Sequence, residues 1–113
     1  MMQTQALLTT RYRLAQHYLN KLRVAQRVYQ QGNENEVHAL SLFDQERDQI
    51  RHWRSWIAEH TEQNEQSRAF CRDYVGASPD IFELRLSPQE YLAWLKDAVE
   101  SARSLGDQRA EVI

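Results

Sequence analysis

Residues that stop or staple a chain are scarce here: one cysteine, two prolines and three glycines among 113 residues. A lone Cys71 can close no internal disulfide and supports no structural zinc site. So few turn formers argue against a fold of many short strands. No stretch approaches the ~18 consecutive apolar residues of a membrane span. Met1-Met2-Gln3-Thr4-Gln5 has neither the basic flank nor the apolar block of a secretion signal. A reducing, cytoplasmic setting without membrane is therefore expected. Acids are missing from residues 1–33, which hold Arg11, Arg13, Lys21, Arg23 and Arg27. All sixteen acids come later, against the nine bases left from fourteen, so that part carries −7. A basic first segment can meet nucleic acid. Its bases are spaced singly, however, as on the solvated side of a helix, and that reading is preferred.

What the chain has in quantity is helical periodicity, clearest from Ser87 to Gly106. Ser87 suits an N-cap, Pro88 the first helical position, and Glu90 the third residue of a capping box. Tyr91, Leu92, Leu95, Ala98, Val99, Ala102 and Leu105 recur at three- and four-residue spacing, and Gly106 fits a left-handed C-cap. Upstream, a helix is expected over about 5–30. Leu7, Leu14, Ala15, Tyr18, Leu19, Leu22, Ala25 and Tyr29 share one arc, and Arg13, Asn20, Arg23 and Arg27 the opposite one. Arg11 projects from the apolar side, with its stem over the core edge and its head in water. Gln30-Gln31-Gly32-Asn33 makes the turn.

A second helix over about 35–60 puts Ala39, Leu42, Phe43, Ile50, Trp53 and Ile57 on one face, flanked by Val37, Leu40 and Trp56. The short connection makes the two helices antiparallel neighbours. Glu46 lands in the apolar arc and needs a partner, for which the Tyr18 hydroxyl is the candidate donor. A polar loop over 61–67 leads to a third helix, about 66–75, with Ala69, Phe70, Cys71 and Tyr74 inward. Ile81 to Leu86 alternates like a strand, but no second strand is present to pair with it. It is read as an extended or short helical connector. The expectation is one all-α domain over 1–113 of about four helices, with an antiparallel hairpin over 1–60 and a repeat-like helix pair over 61–113.

Catalytic signals are weak. His17, His38, His52 and His60 form no HExxH motif and no i, i+4 pair that would set two imidazoles on one face. Arg68 and Arg72 lie near Cys71, but no base or oxyanion site accompanies the thiol, so a buried structural cysteine is preferred. Asp44, Glu46 and Asp48 lack the spacing and glycine of a calcium loop. Asp44 with Arg47, and Asp48 with Arg51, read as surface ion pairs three residues apart. Arg47, Arg51 and Arg54 form a stripe with Trp53 and Trp56 interleaved, yet arginines and tryptophans point in different directions. Single-strand binding needs both in one groove. With no phosphate loop, nucleophile elbow or dinucleotide fingerprint, the chain is expected not to be an enzyme.

Several short blocks carry a family resemblance: Leu42-Phe43-Asp44-Gln45-Glu46-Arg47-Asp48-Gln49-Ile50, Phe70-Cys71-Arg72-Asp73-Tyr74, Leu84-Arg85-Leu86-Ser87-Pro88-Gln89-Glu90, Trp94-Leu95-Lys96-Asp97-Ala98 and Arg103-Ser104-Leu105-Gly106-Asp107-Gln108-Arg109-Ala110-Glu111. In this order they resemble the helical segment that opens the tetratricopeptide-repeat region of bacterial signalling proteins, often after a STAND or NB-ARC type ATPase module. The likeness covers about residues 40–112. Ser87 to Gly106 is similar to the second helix of a repeat, with the Gly-Asp after it as the turn between repeats. In that family complete repeats follow, whereas this sequence stops at Ile113. A solenoid unit buries its face only against neighbours, so a longer parent chain or a covering partner is expected. The resemblance implies a tetratricopeptide-like stack and carries over no catalytic residue.

These readings converge on a non-catalytic protein-interaction or assembly module, with a protein partner or a homo-oligomer and no cofactor. Its expected contact residues are Leu92, Leu95, Val99 and Ala102 on the last helix, with an edge at Trp56 or Trp94, both lying off the centres of their apolar arcs. The alternative is a small nucleic-acid-binding regulator using Arg13, Arg23 and Arg27.

Overall fold

A computed structural model of the chain describes residues 2–62 and 64–106, which form five α-helices and no strand. They are α1 (Met2–Gln30), α2 (Glu34–Glu59), α3 (Glu65–Ala77), α4 (Pro79–Arg85) and α5 (Pro88–Ser104). The fold is all-α, with one helix more than the four expected. The residues after Gly106, including the last resemblance block beyond that point, lie outside the described residues.

The first turn follows from its sequence. Gly32 takes φ +79° and Asn33 φ +56°, the left-handed region that glycine enters freely and asparagine tolerates. The Gly32 N–H donates to Tyr29 O and the Asn35 N–H to Gly32 O, both at 3.1 Å. α1 and α2 therefore double back as an antiparallel hairpin. Ala15, Leu19, Leu22 and Ala25 meet Ala39, Phe43, Ile50, Trp53 and Ile57 in one apolar cluster.

α3 packs against both helices of the hairpin, and polar anchors fix its seat. The Tyr74 hydroxyl donates to Ala15 O at 2.5 Å, and Ser78 Oγ donates to Leu22 O at 2.5 Å. The Tyr12 hydroxyl meets Ser67 Oγ at 2.7 Å, while Asn64 Nδ2 donates to the same phenol oxygen at 2.6 Å. Asn64 also caps α3, its Oδ1 accepting from the Ser67 N–H at 2.8 Å. Burial, with the Tyr18 phenol adding a smaller push, holds the Tyr74 phenol above its usual value of 10.0.

This third neighbour corrects the face assigned to α1. Leu7 and Leu14 are exposed, whereas Tyr12 and Gln26 are buried. The buried wedge is turned toward α3 and α4. Gln26 goes inside because its Nε2 donates to Asp80 Oδ2 at 2.7 Å. Glu46 is corrected too: it is half-buried and meets Lys21 at 3.4 Å rather than the Tyr18 hydroxyl. The lysine is one helical turn beyond Tyr18 on α1, and its long stem brings the charge to the carboxylate.

The alternating stretch from Ile81 is helical. Pro79 opens α4 at a position where a missing N–H costs nothing. Ile81 and Phe82 are both fully buried. Phe82 is the hub, its ring edge-on to Phe43 at 6.2 Å, Tyr91 at 5.9 Å and Trp94 at 5.4 Å. α4 thus links α5 to the hairpin, beside α3, which packs most extensively along α5. At the head of α5, Ser87 Oγ accepts from the Glu90 N–H at 3.1 Å, so the expected N-cap is present. The Glu90 carboxylate takes Arg51 of α2 at 2.9 Å.

Candidate functional site: the outer seam of α5

α5 has two apolar faces. Its inner face buries Trp94, Ala98 and Ser101. The Trp94 ring lies beside Phe82 on one side and under the Arg54 guanidinium, 5.0 Å from the ring centroid, on the other. Trp94 was expected at a part-exposed edge. It is buried at 4 % exposure, because α4 and Arg54 close over the arc margin where it sits. Cys71 of α3 also packs here, fully buried. Burial pushes its thiol up, with the Ser101 hydroxyl opposing as a hydrogen-bond partner. Such a thiol is a poor nucleophile, as its structural reading requires.

Two charged contacts clamp this inner side to α2. Arg51 meets Glu90 at 2.9 Å, and the buried Arg54 meets Asp97. Arg54 is withdrawn from the solvent altogether, and the part-exposed Arg51 is tied to Glu90, so the expected basic stripe is broken. Asp44 likewise leaves Arg47 and takes Arg85 of α4 in two bonds of 2.8 and 3.2 Å.

The outer face is different. Leu92 is 59 % exposed, Leu95 40 % and Val99 49 %, and Ala102 is half-exposed on the same line. Steps of three, four and three residues keep these four on one narrow stripe. At ~1.5 Å per residue the stripe is roughly 15 Å long. At ~100° per residue it lies nearly opposite Glu90 and Asp97, which face α2. The four residues therefore stand together, and they point away from the hairpin.

Trp56 does not join them. It is half-buried on α2, with His60 stacked at 4.2 Å, Tyr12 edge-on at 5.3 Å and the Arg11 guanidinium 5.9 Å from its centroid. That cluster turns toward α1, and Arg11 covers it as its position on the apolar side implied. The alternative residues separate as well. Arg13, Arg23 and Arg27 are all exposed, but Arg23 approaches Asp73 at 3.9 Å. With Lys21 against Glu46, two of the five early bases already face acids, which weakens a basic track. His17, His38 and His52 are exposed, and His60 is half-buried against Trp56. Among the described residues no three histidines, cysteines or acids gather as a metal site, and no helix is long and apolar enough to cross a membrane.

The spacing of Leu92, Leu95, Val99 and Ala102 announced one outward row, as they stand, but gave no sign of how α5 is held. The missed residues are Arg54 and Phe82, one hidden in an apparent basic stripe and the other in an apparent strand. A signal for Arg54 did exist: it falls one residue after Trp53, at the margin of the buried face of α2. Comparison with protein-family models, with curated proteins and with solved structures gives no match.

Proposed function

We propose that this chain is a non-catalytic protein-interaction or assembly module, which docks a partner along the outer seam of α5. The observation that carries the reading is the seam itself. Three large aliphatic side chains stand in line on a helix whose remaining sides are fixed by an aromatic hub, by α3 and by two ion pairs. Isolated exposed apolar residues are ordinary, but a contiguous row on a rigid support is what interaction surfaces look like. The sequence resemblance to the segment opening bacterial tetratricopeptide-repeat regions supports the same reading. In a stack of helix pairs the next unit covers such a face. On that basis we assign the module to a bacterial, cytoplasmic signalling or regulatory protein.

An environment-sensitive apolar dye tests it on the chain alone. The wild type should either take up dye or self-associate by light scattering, and Leu92→Glu with Val99→Glu should abolish whichever is seen while circular dichroism stays helical. A wild-type chain that remains monomeric and takes up no dye, with the double variant indistinguishable from it, defeats the reading.

A further inference from the structure

The spacing of the seam says more about its occupant. Leu92, Leu95, Val99 and Ala102 follow the alternating three and four steps of a heptad, with Leu92 and Val99 as a and Leu95 and Ala102 as d. Pro88 lies four residues before Leu92 and continues the line. A partner helix lying on this seam touches the a and d residues and the e and g rows beside them. Here the e row is Gln89, Lys96 and Arg103, all exposed, and the g row is Tyr91 and Ala98, turned toward the core. Among the described residues, the charges in the rows a partner can reach, Lys96 and Arg103, are both positive. Glu100 falls at b, outside those rows.

The geometry points to an amphipathic helix with an acidic flank as the occupant, its aliphatic a and d residues on Leu92, Leu95 and Val99 and its carboxylates along Lys96 and Arg103. This rests on the interaction-module reading above and names the partner's chemistry. A second copy fits less well. Antiparallel pairing about Asp97 would set Leu92 against Ala102 and Leu95 against Val99 of the other chain, which suits the core. The same register brings e against e, so Lys96 meets Lys96 of the other copy almost level across the axis. Parallel pairing would need the g row, where Tyr91 lies against Phe82 of α4 and Ala98 is buried. Like charges at flanking positions reject a partner as opposite charges select one.

The test uses the whole chain and two labelled three-heptad peptides with leucine at a and d, one carrying glutamate at e and g and the other lysine. Fluorescence anisotropy at low salt should show the glutamate peptide binding at least about tenfold more tightly. The preference should reverse in the Lys96→Glu/Arg103→Glu chain, and binding should be lost with Leu95→Glu. Equal affinity for both peptides overturns the acidic-partner proposal and leaves the module reading standing. So does a concentration-dependent dimer of the wild type that disappears with Leu95→Glu, because the occupant is then a second copy. No binding of either peptide by a monomeric chain that takes up no apolar dye removes both. Since the substituted side chains are exposed, circular dichroism of each variant should match wild type. If only Leu95→Glu unfolds, Leu92→Glu serves in its place.

Discussion

Phe82→Ala should lower the unfolding free energy by about 3–5 kcal/mol, the range for deleting a fully buried aromatic ring. Total stabilities of small domains run about 5–15 kcal/mol, so the loss is a large share of the whole, and the urea midpoint of the variant should fall well below that of wild type. The site is unforgiving for a specific reason. Phe82 lies on a helix of only 7 residues, which has no stability of its own and forms because its ring sits among Phe43, Tyr91 and Trp94. Removing the ring opens a cavity at the meeting point of α2, α4 and α5 and loosens the Tyr91–Trp94 part of the seam-bearing helix, which α3 still packs against. Loss of less than 1 kcal/mol would mean that α4 is dispensable and that α5 is held by other contacts.

Asp97→Ala should cost about 2–3 kcal/mol, because the substitution strands a buried cation rather than because the ion pair itself stabilises much. The Arg54 side chain is 8 % exposed while that of Asp97 is 41 %. With Asp97 gone, the guanidinium keeps the Trp94 ring but loses its only carboxylate among the described residues, and its Nε already has no hydrogen-bond partner among them. The reverse change is milder. Arg54→Met keeps most of the volume and leaves Asp97 near water, so it should cost under about 1 kcal/mol. The double variant should resemble Arg54→Met. Denaturant midpoints of the three chains decide the matter, and an Asp97→Ala loss no larger than that of Arg54→Met would contradict it.

The contrast between these residues explains what the sequence disclosed. The Ser87 cap and the Gly32 and Gly106 turns are local signals, and each stands where it was expected, although the Glu90 carboxylate turns to Arg51. The outer leucines of α5 were legible for the same reason, since a helix wheel needs only one helix. Faces that depend on a third neighbour were not legible. Leu14 looks as buried as Leu19 until α3 takes its seat on the Tyr12 side, and Gln26 looks solvated until Asp80 arrives from α4. Ion pairs failed in the same way. Spacing along one helix suggested Asp44 with Arg47 and Asp48 with Arg51, whereas Arg85 and Glu90, forty residues on, supply the partners. Ile81 to Leu86 imitates a strand because the exposed Leu84 falls between the buried Phe82 and Leu86 and completes a two-residue period that no packing requires.

α5 is anchored along Trp94 and open along Leu92, Leu95 and Val99, and paired stability measurements on that helix test this most directly. Trp94→Ala should lower the unfolding free energy by about 3–5 kcal/mol, while Leu92→Glu, barely two residues away, should change it by no more than about 0.5 kcal/mol. Comparable losses at both positions would show that the outer leucines already serve the core, and no seam would remain for a partner to cover.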